Sequence, residues 1–427
     1  MSSEASATTS EHSAPAGRSV AAKASFKVGL LGFGTVGSAF ATLLGERAEH
    51  IEKLTGRAPQ LGDPLTTSKG TFAKILDSSD LIVELIGGIE PAREYVLSAL
   101  RAGRHVVTAN KQLLSQYGEE LFEAARESGA QLRFEAAVAG VVPVIRVLSE
   151  SLAGAHVERI HGIVNGTTNF ILSEMTRGAT YEQALAEAQR QGYAEADPSD
   201  DVSGRDAAAK MAILARLAFG TPVHIDQVPY EGIEQLQTDD LQYARELGLG
   251  LKLIGTAERR DGGISVRVHP AFLYSGHPLA SVNGPFNAVT VESDAITEIT
   301  MSGPGAGGRQ TASAVLGDLV SAMIPLGAPA TPLDPLPLVQ DVQSGFYIHI
   351  EVADTPGTLA RIAQLLGEQG ASIKSVAQHG LGERARLVMV IHPLAESRVR
   401  EALKRIAALD FLRSTPRAIR VIEEEFM

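Results

Sequence analysis

Asp206 and Lys210 stand four residues apart in the run DVSGRDAAAKMAILARLAFG. At 3.6 residues per turn they project to the same side of a helix as Ile213 and Leu217. Those two are core residues by type, so an acid and a base share an apolar face. Such a pair is costly unless it lines a site. A lysine in a dry cleft can take a hydroxyl proton and return it when burial lowers its pKa, and a neighbouring acid orients it. Removing a hydride from an alcohol requires such a group. Two plainer readings stay open on these residues alone: a surface i,i+4 bridge worth about 0.2–0.5 kcal/mol, and a Ser203-x-x-Asp206 capping box at the helix start. Against a solvated face, Arg216 is the only other charged residue between Ala207 and Gly220. Upstream lie NGTTN (165–169) and GYAEADPSDD (192–201). In the second, Glu195, Asp200 and Asp201 suit a substrate that carries an ammonium group.

The elements that must position these groups begin at Phe26. An apolar strand, FKVGLLGFG, runs into Gly32-Phe33-Gly34-Thr35-Val36-Gly37, and a helix follows. A G-x-G-x-x-G in that context allows a tight turn and brings backbone amides to a dinucleotide pyrophosphate at the helix N-terminus. The acid expected on the ribose is missing. The segment GRAPQLGDPLTTSKG is a poor strand, broken by Pro59, Gly62 and Pro64. Its end offers Thr67, Ser68 and Lys69, with no carboxylate to repel a 2′-phosphate, which leans toward NADP over NAD; a solvated turn is the other reading. Lys111 ends the strand run HVVTANK, where open α/β sheets place their ligand crevice. It either holds substrate or cofactor groups there or is a surface lysine at a helix start.

Strands and helices alternate through residue 152, with DLIVELIGG, HVVTANK and LRFEAAVAG as short β-branched runs, so a parallel sheet is expected. Residues 153–304 read as an α+β domain, with VERIHGIVNGTTNFIL, GGISVRVHP and NAVTVES as strands. Residues 305–325 form a helix returning to the first domain. Residues 326–345 hold a proline-rich linker. Residues 346–427 read βαββαβ. Residues 1–25 lack an apolar core and carry Glu4 and Glu11, so a disordered tail of a cytoplasmic protein is expected rather than a targeting segment. The net charge of −12 offers no basic footprint for nucleic acid. No apolar run is long enough for a membrane helix. The chain has no cysteine, which removes disulfides, thiolate–zinc sites and every dehydrogenase that works through a thioester.

Together GLLGFGTVG, VELIGG, TANK, FEAAVAG, NGTTNFIL, GYAEADP, DVSGRDAAAK and HPLASVNGPFNAV resemble homoserine dehydrogenase, in order, from about residue 27 to 323. The βαββαβ unit, with DTPG (354–357) at its first turn, resembles an ACT regulatory domain. The resemblance implies an α/β chain: a Rossmann-type domain, an α+β catalytic and dimerisation domain, and the ACT domain. It implies NAD(P)-linked interconversion of L-homoserine and L-aspartate 4-semialdehyde by a homodimer or homotetramer. By resemblance Lys210 is the proton donor and acceptor, Asp206 and Glu195 hold the substrate, and Lys111 lies between cofactor and substrate. A sodium or potassium ion would bind at Glu135, Val138, Gly140 and Val142, largely through carbonyls. Gly307, in GPGAGG (303–308), would close on the nicotinamide side, unless that stretch is a flexible turn. Asp354, Gly357 and Ile373 would bind an amino-acid effector, with L-threonine as the expectation. The alternative is a catalytically inactive dehydrogenase-like amino-acid sensor.

Overall fold

The computed structural model describes residues 25–236, 249–260, 263–274, 276–324, 343–379 and 385–421. The expected tail, through residue 24, and the proline-rich linker, through residue 342, lie outside the described residues. The chain divides into two compact units, residues 1–331 and 332–427.

The first unit opens with strands β1 (Ser25–Leu31), β2 (Ala58–Leu61), β3 (Leu81–Glu84), β4 (His105–Thr108) and β5 (Leu132–Arg133). They form an all-parallel sheet in the order β2-β1-β3-β4-β5. β1, β3 and β4 are buried almost throughout, as parallel strands covered on both faces must be. The interrupted second strand does form. Pro59 is accommodated because β2 is the sheet edge, where one side of the strand has no ladder to complete. Helix α1 (Thr35–Thr55) follows β1. The helix Gly308–Met323 packs beside it, placing Ala312, Val315 and Leu319 in one core with Leu30, Phe40 and Leu44.

A second sheet, β10-β9-β6-β7-β8, is antiparallel throughout. Its strands are β6 (Val157–Ile163), β7 (Leu249–Arg260), β8 (Gly263–Tyr274), β9 (Phe286–Ser293) and β10 (Thr297–Pro304). The stretch expected as one strand through NGTTNFIL divides. β6 ends at Ile163, and helix Gly166–Thr176 begins three residues later. Asn165 decides this: its side chain accepts from the Thr168 amide at 2.8 Å and caps the helix. LRFEAAVAG likewise gives only the two-residue β5, then a 3₁₀ turn over Glu135–Ala137. The helix Arg205–Phe219 packs its alanine- and leucine-rich side on the second sheet; Gly255 of β7 leaves room for Met211.

The second unit is the expected βαββαβ. Strands β11 (Gln343–Val352), β12 (Ile373–His379), β13 (Ala385–Ala395) and β14 (Arg417–Val421) lie in the order β12-β13-β11-β14. Helices Thr358–Glu368 and Glu396–Ile406 bury Ile362, Leu366, Val399 and Ile406 against Ile348, Ile350, Leu387 and Met389.

Candidate active site

Asp206 sits in the first turn of the helix Arg205–Phe219, with its side chain only 3% exposed. One carboxylate oxygen, Oδ2, accepts from Lys210 Nζ at 2.7 Å and from Asn165 Nδ2 at 2.8 Å. The other, Oδ1, lies 2.6 Å from Lys111 Nζ. Lys210 Nζ also donates to the Val164 carbonyl at 2.7 Å. The capping-box reading fails. The N-cap is Gly204, at φ +88°, with no side-chain cap, and Ser203 Oγ accepts only from the adjacent Arg205 amide. Freed from capping, the carboxylate turns to the lysines. Burial alone would raise the Asp206 pKa, but the two ammonium groups outweigh it and hold it far below the usual carboxylate range. Asp206 in turn raises the Lys111 pKa against burial, so Lys111 remains a cation. The surface-bridge reading fails as well, since Lys210 is 12% exposed.

Lys111 does not end a strand. It is the first residue of helix Lys111–Ser128, three residues past β4. Asn110 caps this helix by accepting from the Leu113 amide, and its Nδ2 donates to the Gly88 carbonyl at 2.7 Å. Behind it lies a buried network. Glu84, at the end of β3, accepts from the Ile86 and Gly87 amides and from Thr108 Oγ1 at 2.6 Å, and Thr108 accepts from the Asn110 amide. This network aims Lys111 at Asp206.

Asp201 joins the cluster by accepting from Asn165 Nδ2 at 2.7 Å; burial first, then the nearby Asp206, raises its pKa. Asp200 is exposed at the rim, 3.7 Å from Arg205. Glu195 is exposed and is held through its main-chain carbonyl, which accepts from Gln189. The structure does not bring its carboxylate to the lysines. Asn165 and the Val164 carbonyl carry much of the geometry. The sequence marked their segment but not their roles.

At the first βα turn the three glycines have different reasons. A Cβ on Gly32, at φ +95°, would meet the Leu85 carbonyl at 2.5 Å, and one on Gly37 would meet the Gly32 carbonyl at 2.3 Å. Gly34 faces open space, and helix α1 starts without a side-chain cap. The amides of Thr35, Val36 and Gly37 are thus available to a pyrophosphate. Phe33 is half-exposed beside them. Gly308 lets the second helix start abut Thr35, and Gly307, at φ +131°, precedes it. A cavity of about 820 Å³ next to the turn is lined by Phe33, Thr66, Ser68, Lys69 and Lys74. Asp63 lines it too. The expectation of no carboxylate is corrected here: Asp63, two residues past the end of β2, lines the cavity along with Ser68 and Lys69.

The turn around Glu135 is buried. The Glu135 carboxylate accepts from the Ile145 and Arg146 amides, and burial still raises its pKa to about 7. Its own amide donates to Asp318. Ala139 and Gly140 both have positive φ. Among the described residues no donor reaches the Val138 or Gly140 carbonyl, whereas the Val142 carbonyl accepts from the Val144 amide. In the second unit, a cavity of about 420 Å³ is lined by Asp354, Thr355, Gly357, Thr358, Gln378 and Leu387. Ile373 is not among its walls; it packs against the core of that unit, and β12 reaches the cavity through Gln378.

A parallel sheet with a glycine turn at a helix start, which brings one lysine to a buried carboxylate and to a second lysine held beside the antiparallel sheet, defines a dinucleotide-linked oxidoreductase. Comparison with known proteins gives the family. Residues 32–135 match the homoserine dehydrogenase NAD-binding domain, residues 143–320 the homoserine dehydrogenase domain, and residues 346–411 the ACT domain. A homoserine dehydrogenase of Neisseria gonorrhoeae is 39% identical, covering 90% of this chain and 95% of that one. One of Corynebacterium glutamicum is 41% identical, over 92% and 95%. The crystal structure of a homoserine dehydrogenase from Thiobacillus denitrificans aligns with TM-score 0.67 at 40% identity, covering 92% of this chain and 97% of that one. A hyperthermophilic archaeal homoserine dehydrogenase in complex with NADPH aligns with TM-score 0.62 at 28% identity, over 72% and 100%. The chain belongs to the homoserine dehydrogenase family. It is an oxidoreductase that interconverts L-homoserine and L-aspartate 4-semialdehyde with a nicotinamide dinucleotide. The inactive-sensor alternative is not favoured, since the similarity spans nearly the whole chain.

Asp206→Asn leaves two lysines facing a neutral amide, and at neutral pH it should cost about 3–5 kcal/mol of folding stability. The folded-state pKa of Asp206 is depressed, so its contribution is present above the ordinary carboxylate pKa of about 4 and is lost as pH falls through the lower folded value. Urea denaturation of both proteins should show a constant gap over roughly pH 5 to 8 that closes on acidification. A gap that widens in acid contradicts the two-lysine clamp.

Proposed function

We propose that Lys210, as the neutral amine, takes the hydroxyl proton of homoserine during oxidation and, as the ammonium, returns it to the carbonyl oxygen during reduction. A nicotinamide cofactor, when bound, accepts or supplies the hydride. The placement of Lys210 Nζ between Asp206 and the Val164 carbonyl supports this role: the amine is fixed in direction and shielded from water. Lys111, kept cationic by Asp206, lies between cofactor and substrate and stabilises negative charge developing on the reacting oxygen. Asp206 orients both lysines. Asp201, Asp200 and Asp206 concentrate negative charge for the substrate ammonium; Glu195 enters this set on the resemblance alone. Lys210→Ala should lower turnover by about 10²–10⁴-fold while cofactor binding, followed by fluorescence, is retained. Near-normal turnover would remove Lys210 from the proton transfer.

The Gly32, Phe33, Gly34, Thr35, Val36 and Gly37 turn would hold the pyrophosphate, with Gly307 on the nicotinamide side. NADP is the preferred cofactor in this reading: Ser68, Lys69 and Lys74 outnumber Asp63 in the adjoining cavity. Lys69→Ala should raise the KM for NADP about tenfold, the loss of one charge-assisted hydrogen bond, and leave that for NAD nearly unchanged. Equal effects on both cofactors would refute the assignment. The uncommitted carbonyls of Val138 and Gly140 fit a sodium or potassium ion, with Glu135 and Val142 completing the turn. Such an ion would brace the junction of the two sheets.

The ACT cavity at Asp354 and Gly357 is read as an amino-acid effector site, with L-threonine as the effector, in a cytoplasmic homodimer or homotetramer. No helix among the described residues is long and apolar enough to cross a membrane. Threonine at millimolar concentration should lower the rate or raise thermal stability. If it changes neither, threonine is not the effector.

A further inference from the structure

Lys252 on β7 is 4% exposed and has no carboxylate partner among the described residues. Its ammonium instead meets three oxygens: Asn169 Oδ1 at 3.2 Å, Asn283 Oδ1 at 3.1 Å and the Val282 carbonyl. Asn169 comes from the NGTTN motif. Its Nδ2 lies 3.0–3.2 Å from the carbonyls of Val282, Gly284 and Phe286. Ser173, one turn further along the same helix, accepts from the Gly284 amide at 2.9 Å. The loop 282–286 is therefore gripped from below by a lysine, an amide and a hydroxyl.

The other side of that loop meets the reacting end. The Pro285 carbonyl accepts from the Gly305 amide at 3.3 Å, and a Cβ on Gly166 would meet that carbonyl at 2.7 Å. A Cβ on Gly305 would collide with the Asn287 side chain. Asn287 Nδ2 reaches the Val164 carbonyl at 3.4 Å, the same oxygen that receives Lys210. We propose that Lys252 is a positioning residue: through loop 282–287 it sets both the glycine-rich turn at 303–308 and the carbonyl that directs Lys210.

The charge on Lys252, taken apart from its three hydrogen bonds, counts against folding. Burial pulls the Lys252 pKa down to about 8. A lysine whose folded pKa lies below its unfolded one counts against folding at lower pH, and the penalty is relieved as pH rises between the two values. An isosteric apolar residue would avoid the cost but would provide no donor for the three oxygens.

The proposal rests on Lys210 and the 303–308 turn lying at the reacting end. Lys252→Met should lower kcat of the folded enzyme by about 10- to 100-fold, as misplacement of a reacting group does, and speed hydrogen exchange at the Gly284 and Gly305 amides. A lowered melting temperature with wild-type kcat and cofactor KM in the folded fraction would overturn it. Lys252→Gln is made alongside in case the methionine variant does not fold. Its short amide cannot span to both Asn169 and the loop, and wild-type kcat there is equally fatal. Retained turnover in Lys210→Ala would instead overturn the underlying assignment, whatever Lys252 does.

Discussion

One buried carboxylate organises this molecule. Asp206 has two oxygens and answers to groups from three places: Lys210 on its own helix, Lys111 at the start of the helix after β4, and Asn165 at the end of β6. The parallel sheet and the antiparallel sheet meet chemically at that point. An unpaired buried carboxylate would be costly, so removing either cation leaves a buried charge uncompensated. Because its partners come from elements of both sheets, Asp206 ties the two sheets to one geometry.

Much of the surrounding structure supplies that geometry. Glu84, Thr108 and Asn110 form a relay that fixes where one helix begins and so where Lys111 points. Asn165 does double service, capping its helix with the oxygen and reaching two aspartates with the nitrogen. These are short polar side chains at element ends, where backbone groups lack partners.

The sequence disclosed the parts of this plan that have a period. Asp206 and Lys210 were legible because four residues make nearly one helical turn. The C-terminal unit was legible because its strands alternate and its helices are amphipathic. What had no period was lost. NGTTNFIL is rich in residues that accept strand or helix, and the choice fell to a single cap hydrogen bond from Asn165. Lys111 looked like a strand end because nothing in TANK announces that Asn110 stops the strand and starts a helix. Only Thr67, Ser68 and Lys69 were read as facing the ribose, and Asp63, a few positions earlier, was passed over because a broken strand gives no period from which to read facing. Lys252 stands in the apolar run LGLKLIGTA and would pass for a solvated interruption. Its burial depends on loop 282–286, more than thirty residues away, and no local pattern reports that.

The Val164 carbonyl, shared by Lys210 and Asn287, has an evolutionary implication. It is a main-chain atom, so no single substitution can delete it. The direction of Lys210 is referenced to backbone just past the end of β6, whereas Glu195 and Asp200 in the acidic segment 192–201 are exposed side chains. Substitution of those exposed side chains leaves the backbone reference of Lys210 in place. Length changes between β6 and its following helix cannot be tolerated in the same way. The molecule thus separates what it can vary from what it must keep.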